Sequence, residues 1–160
     1  MRDVYKRQIL VTNLDNDLTV KSARGARGHV RVFSRRAAAF SFCEDGSITL
    51  NGQKVMDADD IRLPGVHNIE NYLAAFAAVA DYVTPETMRK VAMEFSGVEH
   101  RLELVRELHG VKYYNDSIGT SPTRTIAGLR SFNQKVILIA GGYDKHISFE
   151  PCLLYTSRCV

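Results

Sequence analysis

Tyr-Tyr-Asn-Asp-Ser-Ile-Gly-Thr-Ser-Pro-Thr, residues 113–123, is the stretch on which the fold of this chain turns. Val111, Tyr113 and Tyr114 favour a strand, Asn115 to Gly119 are turn formers, and Ser121-Pro122 sets a helix N-cap before a proline at the first helical position. Working outward, a helix from Pro122 carries Ile126 and Leu129 toward a core and ends near Ser131. Val-Ile-Leu-Ile-Ala at 136–140 then has the continuous apolar character of a strand buried on both faces of a parallel sheet. Strand, helix and strand within about thirty residues predict a right-handed βαβ unit, and with it an α/β fold. Both strands of such a unit end on one sheet edge, so the loops at 115–121 and 141–145 should be neighbours. Ligands of open α/β sheets bind outside those ends. This would join Asp116, Ser117, Thr120 and Lys145 into one candidate site. Lys145 offers a cation for a carboxylate or phosphate, Thr120 a hydroxyl near a helix start and Asp116 a carboxylate for ribose hydroxyls, while Gly141 and Gly142 let backbone approach a ligand. An ordinary capped strand-to-helix connection would carry the same residues, and each of them has that plainer reading when taken alone.

The bulk properties set the class. The 160 residues are 45% hydrophobic and 24% charged, an ordinary globular composition, with a formal net charge of +3. Lys21, Arg24, Arg27, Arg31, Arg35 and Arg36 form the one basic concentration, but no aromatic interleaving or nucleic-acid motif accompanies them. A solvated basic face is expected there, and no nucleic-acid partner. Cys43, Cys152 and Cys159 are odd in number and lack metal-ligand spacing, as in a protein of a reducing compartment. The longest apolar run is too short to span a bilayer, so the expectation is a cytoplasmic protein with no membrane partner.

Along the chain, Ile9 to Leu14 predicts a buried strand that ends in the polar Asn13, Asp15, Asn16 and Asp17. Residues 30–33 and 38–42 are further strand candidates, and 47–50 and 53–55 flank Asn51-Gly52, a strong hairpin signal. Residues 29–56 are therefore expected to be mostly short antiparallel strands. After Leu63-Pro64-Gly65 an Ala-rich helix places Ile69, Leu73, Phe76, Ala77 and Ala80 on one face. Asn68 and Asn71, three residues apart near its start, could present two carboxamides to a planar heteroaromatic edge. Asn68 as a plain N-cap and Asn71 as a solvent-facing polar residue are the simpler alternatives, and His67 has a structural reading. Thr84-Pro85-Glu86 announces a second helix running to about Phe95. Residues 102–108 and 111–115 are β-like about His109-Gly110, and a domain boundary is expected near Gly97. Residues 1–8 and 152–160 are unlike the middle in composition and are expected to be non-native flanks. Nowhere in the chain is there a Gly-x4-Gly-Lys-Ser/Thr phosphate loop, a nucleophile elbow or zinc spacing.

At its polar motifs the sequence resembles the Mur ligase superfamily, from about residue 9 to residue 151. Five anchors occur in that family's order: Val-Thr-Asn-Leu-Asp-Asn-Asp (11–17), Gly-Val-His-Asn-Ile-Glu-Asn (65–71), Val-Glu-His-Arg-Leu-Glu (98–103), Tyr-Asn-Asp-Ser-Ile-Gly-Thr-Ser-Pro (114–122) and Gly-Gly-Tyr-Asp-Lys (141–145). The form Asn-Asp-Ser-x-x-Thr-x-Pro points to the branch that adds D-glutamate; sister ligases carry Asp-Tyr-Ala-His, Asn-Ala-Asn-Pro or Ala-His-Asn-Pro variants there. The resemblance implies that residues 9–97 are the C-terminal part of a central ATP-binding domain and 98–151 the first part of a Rossmann-like C-terminal domain. It implies ATP-dependent amide formation in peptidoglycan synthesis, with ATP, D-glutamate and UDP-N-acetylmuramoyl-L-alanine as partners and Mg2+ as the metal. By the same resemblance Asn68 and Asn71 would contact the adenine region, Arg101 the phosphates and Asp116 the ribose, while Thr120 and Lys145 would hold the side-chain carboxylate of D-glutamate. Ile118 stands where the family commonly has Lys, and Tyr143-Asp144 departs from other versions of the glycine loop. The family's uridine-nucleotide domain, phosphate loop and magnesium-binding residues would lie upstream of residue 9, so the 160 residues alone are expected to be inactive. The alternatives are another amino-acid ligase of the superfamily, of the folylpolyglutamate type among others, and a non-catalytic nucleotide- or glutamate-binding module.

Overall fold

The computed structural model describes residues 8–143 and 146–152. They fall into two compact units that part between Phe95 and Ser96. In the first, β1 (Ile9–Asn13), α1 (Asp17–Ala23), β2 (His29–Ser34), β3 (Ser41–Glu44), β4 (Ser47–Leu50) and β5 (Gln53–Asp57) precede α2 (Val66–Val79) and α3 (Pro85–Glu94). The five strands make one sheet in sequence order, β1-β2-β3-β4-β5.

β1 and β2 run parallel, Ile9 beside His29 through Asn13 beside Phe33, with α1 as the crossover. That helix is a departure from the sequence reading, which saw only a polar strand end at 13–17. Seven residues are too few to show a helical period, yet its start is well built. Asn16 Oδ1 accepts the N–H groups of Leu18 at 2.9 Å and Thr19 at 3.4 Å, and Asp17 sits in the first turn. β2 and β3 are also parallel, which corrects the expectation of an antiparallel 29–56 region. Only Phe33 with Ser41 and Ser34 with Phe42 are paired, so β3 begins where β2 ends. The short loop between them therefore suffices where full overlap would need a long crossover. β3 to β5 are antiparallel as expected. Asn51 (φ 47°) and Gly52 (φ 78°) form the tight hairpin turn that a left-handed backbone at both positions requires.

α2 buries Tyr72, Leu73, Phe76 and Ala77 against the sheet. They join Ile48, Leu50, Val55, Met56, Ile61, Met88 and Ala92 in one core, each large side chain contributing about 1.5–3 kcal/mol when fully buried. α3 begins as the sequence predicts, with Thr84 Oγ1 accepting Thr87 N–H at 3.4 Å and Pro85 in the first turn, and it turns Met88 and Ala92 inward. α2 starts three residues earlier than an Asn68 cap would require. Gly65, at φ 103°, is the capping residue, a backbone state that costs glycine little.

The second unit holds β6 (Glu103–Leu108), β7 (Val111–Asn115) and α4 (Pro122–Leu129). β6 and β7 form an antiparallel hairpin, turned at His109 (φ 50°) and Gly110 (φ 79°). Tyr114 meets the ring of Phe132 edge-on at 4.9 Å. Ile126 and Leu129 of α4 are half-buried, as their spacing predicts. The expected parallel strand at 136–140 is not formed: those residues have no regular structure, and Ile137 and Ile139 are 95% and 94% exposed. A strand exists only through ladder partners, and the described sheet of this unit contains β6 and β7 alone. The βαβ unit is corrected accordingly; the loop at 141–145, expected beside that at 115–121, includes residues 144 and 145, which lie outside the described residues. Gln8 and Cys152, assigned to flanks by sequence, are both engaged. Gln8 O accepts His29 N–H at 2.9 Å, and buried Cys152 directs Sγ to Pro122 O at 3.4 Å. No helix among the described residues is long and apolar enough to cross a membrane.

Candidate functional site

The candidate residues lie in both units. In the first, Asn68 and Asn71 occupy the opening turns of α2, where three-residue spacing stacks them on one side. Asn68 Nδ2 donates to Pro64 O at 2.7 Å, and Asn71 Nδ2 donates to Asn68 Oδ1 at 3.3 Å. Part of their capacity is thus spent on fixing each other. Asn71, exposed, keeps its carbonyl oxygen and one amide hydrogen for a ligand.

Sequence reasoning passed over a denser polar network at the end of β1. Asp15 Oδ1 accepts the Ser34 hydroxyl at 2.5 Å and Asp15 Oδ2 accepts Arg35 N–H at 2.8 Å. Ser34 Oγ, fully buried, in turn accepts the N–H groups of Arg36 and Ala37, both at 2.9 Å. Burial alone would raise the Asp15 carboxyl. The Arg35 N–H, the Ser34 hydroxyl and the charges of Arg36 and Arg35 together outweigh it and hold the group below the usual carboxylate range. Arg35 Nε also donates to Glu70 Oε1 at 2.9 Å, tying the loop after β2 to α2. Arg31 forks onto Asp81 at 2.6 and 2.7 Å, donates to Ala77 O at 2.9 Å and stacks over Phe40 at 4.7 Å. Two arginines of the expected solvated basic face are therefore structural. Their only advance signal was the cluster of Asp15, Asn16 and Asp17 at a strand end.

In the second unit, a turn and a loop meet. Asp116 Oδ1 accepts Leu102 N–H at 3.2 Å, and Ile118 N–H donates to His100 O at 3.3 Å, so Arg101 is carried directly beside the Asp116 loop. The Arg101 guanidinium makes no hydrogen bond or ion pair with the described residues, leaving its planar donors for an anion. Asp116 Oδ2 sits in the space that two glycines leave. A Cβ on Gly119 would lie 2.8 Å from it and one on Gly128 3.5 Å from it. Asp116 is thus half-buried and partly occupied as a bracket for its own loop, beside any ligand role. Thr120 is exposed just ahead of the α4 cap Ser121, whose hydroxyl lies 3.1 Å from that of Thr123. Ser117, exposed, donates its N–H to Asn115 Oδ1 at 3.1 Å. Lys145, with Asp144, lies outside the described residues. The structure therefore brings together Arg101, Asp116, Ser117 and Thr120 of one unit, and Asn68 with Asn71 in the other. Among the described residues no group of three or more His, Cys, Asp and Glu could hold a metal ion.

No family model matches the chain. It is 56% identical to the UDP-N-acetylmuramoylalanine–D-glutamate ligase of Clostridium botulinum over 89% of its own length and 31% of that protein's. It is 54% identical to the ligase of the same name from Acetivibrio thermocellus, over 94% of the chain and 34% of that protein. It thus spans about a third of the length of the curated relatives it matches. Among solved structures, MurF from Acinetobacter baumannii superimposes with a TM-score of 0.65 at 19% identity, over 79% of this chain and 30% of that one, a likeness of fold. A UDP-N-acetylmuramoyl-L-alanyl-D-glutamate–2,6-diaminopimelate ligase follows at 0.52 and 22%, over the same shares. With an α/β fold of that kind and half-identity along nine-tenths of its length to ligases of one name, the chain belongs to the Mur ligase superfamily.

Proposed function

We propose that these residues form part of an ATP-dependent ligase that joins D-glutamate to UDP-N-acetylmuramoyl-L-alanine during peptidoglycan synthesis in the cytoplasm. The observation that carries this reading is the likeness to D-glutamate ligases across both units, the Asn-Asp-Ser-x-x-Thr-x-Pro loop included. In the proposed reaction the muramoyl-alanine carboxylate takes the γ-phosphoryl group of ATP, releasing ADP. The D-glutamate amine then attacks the acyl phosphate and expels phosphate.

The residues here bind and orient. Asn71, braced by Asn68, offers a carboxamide to the adenine edge. Arg101 neutralises phosphate oxygens, where charge-assisted bonds are strongest. Asp116 accepts from ribose hydroxyls with the capacity its loop leaves free. Thr120 and Lys145 meet the side-chain carboxylate of D-glutamate, Thr120 as a donor beside a helix start and Lys145 as a charge. Magnesium, which would offset phosphate charge in such a reaction, is assigned to no residue of this chain because the described donors do not converge. Residues 9–97 and 98–151 are proposed to be parts of the ATP-binding and amino-acid domains respectively.

The test is turnover by the complete ligase that contains this sequence. Continuous ADP formation should require both the muramoyl nucleotide and D-glutamate, the nucleotide alone giving at most one equivalent per enzyme. Equal use of L-glutamate or L-alanine would overturn the acceptor assignment, and no dependence on ATP would overturn the whole reading.

A further inference from the structure

Arg101 stands between two residues in left-handed backbone, His100 at φ 65° and Leu102 at φ 44°. A turn so shaped needs outside support, and much of it comes from the end of β7 and its loop. Ile118 N–H reaches His100 O at 3.3 Å, Leu102 N–H reaches Asp116 Oδ1 at 3.2 Å, and Asn115 Nδ2 faces His100 Nδ1 at 2.9 Å. Asn115 Oδ1 accepts Ser117 N–H at 3.1 Å. A backbone N–H only donates, so this bond fixes which end of the carboxamide is oxygen and leaves the amide nitrogen, a donor, against the imidazole. His100 Nδ1 must then accept, and the ring proton sits on Nε2, whose nearest acidic neighbour is Glu99 Oε1 at 3.9 Å.

We propose that His100 and Asn115 are a positioning pair, touching no ligand themselves, that locks the turn carrying Arg101 to the Asp116 loop and lets go when the imidazole takes a second proton. A proton on Nδ1 would set two donors face to face at 2.9 Å. An acceptor is already within reach on the other side: Glu103 Oε2 lies 3.7 Å from Nδ1 and holds His100 N–H at 2.8 Å. Protonation therefore trades a bond to the loop for an ion pair with the first residue of β6. The acidic groups that face the ring are Glu99 from the turn and Glu103 from β6. Asp116 stays on Leu102 N–H. Released at the His100 ring and held only by its backbone bonds, the turn presents Arg101 less rigidly beside Asp116. The purpose of the pair rests on the proposed phosphate role of Arg101; the pair itself does not.

Long-range proton–nitrogen NMR on this 160-residue chain reads the ring directly. At about pH 8 His100 should show the Nε2–H tautomer, and the amides of Leu102 and Ile118 should move together with the ring as the pH falls to about 5.5. In Asn115→Leu those two amides should hold acid-like positions already at pH 8. An Nδ1–H tautomer in the unsubstituted chain, or amides that ignore the ring's titration, would overturn the proposal, and neither observation needs the variant to fold. ATP is then titrated into both proteins while the Arg101 amide is followed. Affinity should fall several-fold with acid in the unsubstituted chain beyond the fall seen in Asn115→Leu, which shares the titration of ATP itself. Equal falls would overturn the coupling. If ATP leaves Arg101 unmoved at every pH, the phosphate reading fails while the tautomer and the amide shifts still decide the pair.

Discussion

Gly119 shows how a missing atom shapes the candidate site. A Cβ there would lie 2.8 Å from Asp116 Oδ2 and 3.1 Å from Asp116 O, and backbone cannot retreat as a flexible side-chain tip can. Gly119→Ala should push the Asp116 carboxylate off Leu102 N–H and cost the second unit about 1–3 kcal/mol, read by thermal unfolding. Gly128→Ala should cost less, because its closest contacts, Leu102 Cδ2 at 3.4 Å and Asp116 Oδ2 at 3.5 Å, are of ordinary length. Tyr72 offers the opposite case. Its ring packs in the core, but its hydroxyl is buried with no hydrogen-bond partner among the described residues, and burial pushes that hydroxyl's pKa up. Tyr72→Phe removes an unsatisfied group without opening a cavity, so stability should stay within about 0.5 kcal/mol or rise in denaturant titration. Neither residue was singled out by sequence. A glycine among turn formers reads as a turn, and a tyrosine on an apolar helix face reads as core; which atoms they would strike or leave unpaired depends on neighbours far along the chain.

Among the elements, the loop after β2 is held by the Asp15 carboxylate through Ser34 and Arg35. Because that carboxyl is held below the usual range in the folded chain, its contribution to stability is fully present above the carboxyl range of the unfolded chain. It is lost as the pH falls through the folded value. Asp15→Asn should therefore lower the melting temperature by a constant amount between about pH 6 and 8, with the gap narrowing below about pH 4. A gap that widens in acid would contradict the assignment. Residues 136–140 make a second test. Without a ladder partner among the described residues, the amides of Ile137 and Ile139 should exchange with solvent as fast as a loop, whereas those of β4 and β5 should be protected. Slow exchange at 137–139 in this chain would show that the strand forms after all. The contrast marks what periodicity can tell. The hairpins at Asn51-Gly52 and His109-Gly110 and the helices at 66–79 and 85–94 were legible because their signals are local. The strand at 136–140 was not, because apolarity states what a segment needs and not whether a neighbour supplies it.

Across the whole molecule the two ends of the proposed ligand site should separate in kinetics. In the complete ligase, Thr120→Val and Lys145→Ala should raise the D-glutamate KM roughly 10- to 100-fold with little change in that for ATP, as expected for loss of a bond to a charged group. Asp116→Ala should do the reverse. Equal effects on both substrates would remove the carboxylate assignment for Thr120 and Lys145. By itself the sequence determined the family, the α/β class, the tight turns, the α2 and α3 helices and the names of the polar residues that the proposed chemistry draws on, since these follow from residue type at short spacing. Tertiary structure alone decided that β1 to β3 run parallel, that Arg31 and Arg35 serve the scaffold, and that Arg101 is held beside Asp116. Those facts rest on contacts between distant residues: Asp15 with Ser34, Arg31 with Asp81, Leu102 with Asp116. A hydrogen bond is set by where the folded backbone delivers two atoms, and local propensity carries no record of that.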